Sequence, residues 1–109
     1  MYQVVKRNGK VVPFDIEKIS GAIEKAFAAM DKDYTPNIID FIALRVTADF
    51  EPKIKDSLIA VEDIQDSVES VLSKSGYTDV AKAYILYRRQ REKLRNMQST
   101  YLDYKNTVN

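Results

Sequence analysis

The sequence predicts an α+β fold, mainly helical, with an N-terminal β-hairpin covering one side of a four-helix bundle. Three observations carry this expectation. Asn8-Gly9 separates two short runs rich in β-branched residues, the strongest short-range hairpin signal. Apolar residues then recur at three- and four-residue spacing through four successive segments. Asp15, Thr35-Pro36, Gly76 and Thr78-Asp79 stand where those segments start or stop.

Residues 2–6 and 10–14 are expected to be strands joined by a type I′ turn, whose two positive-φ positions suit Asn8-Gly9. Asp15 is the expected N-cap of a first helix of about four turns. It carries Ile16, Ile19, Ile23 and Phe27 on one face, Glu17, Lys18, Glu24 and Lys25 on others, and ends near "MDKDYTPN". Thr35-Pro36-Asn37 starts a second helix with proline at its first position. Its stripe is Ile38, Ile39, Ile42, Val46 and Phe50, and Pro52 marks the stop.

"KDSLIAVED" is expected to be a short connection. A third helix begins at Val61 or Glu62, buries Ile64, Val68, Val71 and Leu72, and ends at Gly76. A fourth, capped by Thr78 or Asp79, runs through Val80, Ala83, Tyr84, Tyr87, Arg91 and Leu94. A two-stranded hairpin is marginal by itself, so it must pack on a helix. Residues 1–95 are thus expected to form one domain. From 96 to 109 the apolar period lapses in "NMQSTYLDYKNTVN", the composition of a linker toward something longer, which gives the chain the look of a fragment.

A chain of 109 residues has room for one modest core. Its 45% hydrophobic and 30% charged residues are those of an ordinary globular protein. No apolar run is long enough to span a membrane and no signal peptide precedes the first strand, so a cytoplasmic location is expected. With a net charge of only +1, any anion site must be local. The absence of Cys and His removes thiolate nucleophiles, His-based triads and the usual transition-metal ligands, which favours a binding module over an enzyme.

Three places have the chemistry of an anion site. Lys6 and Arg7 precede a tight turn whose backbone N–H groups can cradle an anion, although alternation along a regular strand would send the two side chains to opposite faces. The same charges would equally serve to keep an exposed edge soluble. Lys18 lies in the first turn of a capped helix, where a cation is unfavourable unless an anion or a carboxylate is near. "YILYRRQREKLR" sets Arg88, Arg89, Arg91, Lys93 and Arg95 against a single Glu92. That run could grip phosphates, and it would also suit a solvated helix end. Tyr84 and Tyr87 could stack on a base or simply pack. Glu62, Asp63 and Asp66 are taken as structural, two of them being first-turn acids.

Taken together, "VVKRNGKVVPFDIEKI" resembles the signature of the ATP-cone family, small allosteric nucleotide-binding domains of many ribonucleotide reductases and of the repressor of their genes. The resemblance continues through "AVEDIQDSVESVLSKSGYTDVAKAYILYRRQR". "AKAYILYRRQREKLRN" followed by "STYLDYKNTVN" is similar to the start of the anaerobic, class III ribonucleoside-triphosphate reductases, in which a glycyl-radical catalytic domain follows. The resemblance implies that Val4, Lys6, Arg7, Asn8 and Gly9 line the hairpin side of a nucleotide site, with Lys6 and Arg7 toward the phosphates. It implies Lys18 on phosphate, Ile19 against adenine, Ile64 near the base, and Arg88 or Arg91 as the basic residue of the last helix. Val61 stands where several reductase cones have Thr, so contacts to base or ribose are expected to differ there.

The implied effectors are ATP or dATP with Mg2+, ATP favouring activity and dATP inhibiting through a changed oligomer. The implied partners are the catalytic domain of the same reductase and further copies of the parent enzyme, with neither membrane nor nucleic acid. No catalytic residue and no protein metal site are expected in this chain, which alone is not an enzyme. Neither GxxxxGK[ST] nor GxGxxG occurs, against a phosphoryl-transfer enzyme. The rival reading is a nucleic-acid-binding or transcription-regulatory module using the basic fourth helix, and the near-neutral charge argues against it.

Overall fold

A computed structural model describes the backbone of residues 2–108 and the side chains of residues 2–94. Two short strands, β1 (Gln3–Val5) and β2 (Val11–Pro13), pair antiparallel with Val4 opposite Val12. Four helices follow: α1 (Ile16–Ala29), α2 (Pro36–Phe50), α3 (Val61–Lys74) and α4 (Thr78–Val108). Helix α1 packs against α2 and α4, and α3 packs against the same two, which closes the bundle.

The helix starts form where local chemistry places them. The Asp15 side chain accepts from the Glu17 N–H, and Thr35 Oγ1 accepts from the Ile38 N–H at 3.3 Å. At the far end of α3, the Tyr77 N–H reaches the Leu72 carbonyl while Gly76, at φ 89°, takes the left-handed conformation that a helix C-terminus of this kind requires. Asp31, at φ 51°, closes α1 in the same way.

The hairpin turn differs from the expected type I′. Gly9 donates to the Lys6 carbonyl at 2.9 Å, Lys6 donates to the Lys10 carbonyl at 2.8 Å, and of the pair Asn8-Gly9 only Gly9 has positive φ. The loop is therefore a three-residue connection in which a turn is followed by one left-handed glycine. Asn8 keeps an ordinary φ and uses its side-chain oxygen to accept from the Lys10 N–H at 3.0 Å. Because β1 ends at Val5, Lys6 and Arg7 belong to the turn, and strand alternation does not separate them.

The segment expected as a plain connection contains a third strand, β3 (Leu58–Ala60), which pairs parallel to β1 and gives the sheet order β2-β1-β3. Val4 and Ile59, opposite one another, are both buried. The strand is introduced by Asp56 and Ser57, both at positive φ, with Leu58 donating to the Lys55 carbonyl at 2.9 Å. The two-residue turn with two left-handed positions thus occurs here, without a glycine. Ser57→Gly is expected to remove a left-handed strain and raise stability by about 0.5–1 kcal/mol, read as a higher urea midpoint at unchanged slope.

The core joins all layers: Ile19, Ile23 and Phe27 of α1, Ile39, Ile42, Val46 and Phe50 of α2, Ile64, Val68 and Leu72 of α3, and Val80 and Tyr84 of α4. Ile38, expected in the buried stripe, is exposed, and Ala43 occupies the interior in its place. Stepping from Ile39 by three and four residues reaches Ile42, Ala43 and Val46, so Ile38 lies one position off the face. The hairpin is moored by an aromatic trio: Tyr2 and Phe14 lie 4.7 Å apart by ring centroids, and both pack on Phe50 at 6.0 and 5.8 Å. The backbone of α4 remains helical past Arg95 to Val108, beyond the point where the apolar period lapses. No helix among the described residues is long and apolar enough to cross a membrane.

Candidate functional site

Between the hairpin, the start of α1, the start of α3 and the middle of α4 lies a cavity of about 410 Å³. Its apolar lining is made by Val4, Ile19, Val61, Ile64 and Val68, together with Tyr84 and Tyr87. Its cationic wall is made by Lys6 and Arg7 of the turn, Lys18 of α1, and Arg88 and Arg91 of α4. An apolar slot edged by clustered cations suits a ligand with a flat apolar body and a polyanionic tail.

Each cation arrives by a separate local cause. The turn begins directly after β1, so Lys6 and Arg7 both line the cavity. Asp15 caps α1, and Lys18 comes one turn later, exposed and next in the chain to the buried Ile19, both lining the cavity. Tyr84 buries against the core, which carries Arg88 and Arg91, one and two turns further along α4, to the cavity rim. Helix α3 starts on Ala60, which has no side chain to cap it, so its first N–H groups open near Val61 without a side-chain acceptor.

The cations are not equivalent. Arg7 forms an ion pair with Glu92, Nη1 lying 3.0 Å from its carboxylate, donates from Nη2 to Gln65 at 3.4 Å, and has Nε 3.7 Å from Glu62. Arg88 donates to Asp66 and Glu69 at 2.9 and 2.8 Å. Burial works against the Arg88 charge, and the hydrogen bonds to those two carboxylates more than offset it, so its pKa lies above the ordinary value. Among the described residues, no carboxylate lies within 4.0 Å of the Lys6, Lys18 or Arg91 charge. Arg91 instead lies 6.0 Å from the centroid of the Tyr87 ring.

Of the residues singled out in the sequence, Val4, Lys6, Arg7, Lys18, Ile19, Val61, Ile64, Arg88 and Arg91 line this one cavity. Asn8 and Gly9 shape the turn and do not line it. Gln65 and Glu92 line the cavity without having been singled out for it. The lone acid in the basic run of α4 was the only sequence signal for Glu92, and a local pair with Arg88 would have been the ordinary inference. The acids Glu62 and Asp66 serve as counter-charges to Arg7 and Arg88.

Burial pushes the Tyr84 hydroxyl up to about 12, with smaller contributions downward from the Arg88 charge and upward from Glu69. A raised pKa means that the folded state holds the phenol proton more tightly than the unfolded chain does. The resulting stability is fully present below pH ~10 and is lost as pH rises through the folded value. Two units correspond to roughly 2–3 kcal/mol. Tyr84→Phe is expected to abolish this part of the alkaline destabilisation, measured as urea midpoints of both proteins between pH 9 and 12.

A small α+β domain that gathers lysines and arginines from the hairpin turn, α1 and α4 around a partly apolar cavity is a binding domain for an anionic ligand. Residues 2–93 match the ATP cone domain, and the chain belongs to the ATP-cone family, whose domains bind ATP or dATP as allosteric effectors. It is 45% identical over 98 residues to the vitamin B12-dependent ribonucleoside-diphosphate reductase of Thermoplasma acidophilum, covering 85% of this chain and 12% of that protein. It is 39% identical to the ribonucleoside-diphosphate reductase subunit alpha of Chlamydia pneumoniae, covering 93% of this chain and 10% of that protein. It is 34% identical to the anaerobic ribonucleoside-triphosphate reductase of Salmonella typhimurium, covering 82% of this chain and 12% of that protein. The chain thus spans about a tenth of the length of the curated relatives it matches.

Proposed function

We propose that this chain is the nucleotide-sensing domain of a ribonucleotide reductase, binding ATP or dATP in the cavity between hairpin, α1, α3 and α4 without consuming either. The observation that carries the proposal is the convergence of Lys6, Arg7, Lys18 and Arg91 on one cavity that Ile19, Ile64 and Val61 also line. Adenine lies against Ile19 and Ile64, and the triphosphate runs toward the turn and α4. Val61 offers no hydrogen bond to base or ribose, which leaves Gln65 as the uncharged polar side chain of the α3 wall. A Mg2+ ion enters with the phosphates, the cavity's own carboxylates being Asp15, committed to its cap, and Glu92.

The parent is proposed to be the anaerobic ribonucleoside-triphosphate reductase, a cytoplasmic enzyme whose glycyl-radical domain is the partner of this one. That finer reading is supported by the run "AKAYILYRRQREKLRN" with "STYLDYKNTVN" and by the anaerobic enzyme among the relatives, beside B12-dependent and diphosphate reductases. ATP and dATP differ by one hydroxyl, worth on the order of 1 kcal/mol. A ligand shifts an equilibrium only by its differential affinity, so a sharp response needs several copies acting together. Calorimetric titration of the purified chain with ATP and dATP, with and without Mg2+, tests the reading. Micromolar binding without hydrolysis supports it, and no heat at millimolar nucleotide overturns it.

A further inference from the structure

We propose that Glu92 is a built-in competitor for the phosphates: it holds Arg7 in the unliganded domain, and nucleotide binds by displacing it. The inference rests on the nucleotide reading above and adds an affinity-setting residue to it. All three nitrogens of the Arg7 guanidinium already have partners, Glu92 at 3.0 Å being the nearest, Gln65 at 3.4 Å and Glu62 at 3.7 Å the looser two. A guanidinium grips phosphate through a pair of adjacent N–H groups, and here each pair includes an engaged nitrogen. The Arg7 side chain is only 21% exposed, so the exchange takes place in a partly desolvated setting where charge pairs count for more than at the surface.

Glu92 is available for this because of α3. One helical turn before it, Arg88 would be its natural local partner, yet Arg88 is drawn to Asp66 and Glu69. Glu92 is left to reach across to the hairpin turn. Lys6, Lys18 and Arg91 meet the incoming phosphates with no such partner among the described residues. Three cations therefore recruit the triphosphate, and the fourth joins on trading one anion for another.

The test is a calorimetric double-mutant cycle with ATP and adenosine as probes, on the wild-type chain, Glu92→Gln, Arg7→Gln and the double variant. Glu92→Gln is expected to tighten ATP roughly threefold to tenfold and leave adenosine unchanged, with Glu92→Asp close to wild type. In the Arg7→Gln background the gain should disappear. An equal gain with and without Arg7 would reduce Glu92 to a general negative charge and overturn the proposal. Wild-type binding of ATP with no gain from Glu92→Gln overturns it while leaving the nucleotide reading intact. No binding of ATP by the wild-type chain overturns both.

Discussion

Replacing both Lys6 and Lys18 by Ala is expected to weaken ATP binding by about a hundredfold or more while leaving the melting temperature within a degree or two of wild type. Neither lysine has an ion-pair partner among the described residues, and both are exposed, so the fold does not depend on them. Each charge-assisted contact to phosphate contributes on the order of 1.5–3 kcal/mol, and two of them together span that hundredfold. Calorimetry with ATP and thermal melting of the same samples separate the two effects. A double variant that binds ATP as tightly as wild type would place the phosphates elsewhere.

Phe50→Ala is expected to be the most damaging single truncation, costing about 3–5 kcal/mol. The ring is fully buried at the end of α2 and receives both Tyr2 and Phe14, so its loss empties the joint between hairpin and bundle. A domain of this size has total stability of roughly 5–15 kcal/mol, of which that loss is a large share. The melting temperature, followed by circular dichroism, should fall by more than about 10 °C. Phe50→Leu, which refills most of the volume, should recover much of it.

Much of the architecture was legible because it is written locally. Asp15, Thr35 and Gly76 end or begin helices through contacts with residues at most five positions away, and the stripes of α1 and α3 follow from period alone. β3 was not legible, since three residues make a weak pattern and its partner β1 lies more than fifty positions earlier. Its turn also lacks the glycine that usually announces positive φ, Asp56 and Ser57 being held there by the sheet. At Asn8-Gly9 the place of the turn is legible in the sequence and its type is not, since the Asn8 side-chain oxygen accepts from the Lys10 N–H within the longer loop.

The same distinction applies to the cavity. Cations near a turn, a helix start or a helix end can be seen in the sequence, and the sites singled out that way now share one cavity. Which of them are already neutralised cannot be seen, because Arg7 pairs with residues more than fifty positions distant and Arg88 with residues of another helix. Distant pairing is a property of the folded surface, so Glu92 and Gln65 emerged only there.

The place of β1 in the middle of the sheet has a mechanical consequence. A hairpin at a sheet edge can swing as a flap, but here β1 is bonded on one side to β2 and on the other to β3, and β3 passes into α3 at Ala60–Val61 with no joint between them. The hairpin cannot lift without levering the first turn of α3. Whatever pulls on Arg7 at the tip is therefore transmitted along a stiff arm to the helix that carries Val61 and Ile64, and the domain has a drivetrain where a loose cover would have had only a hinge.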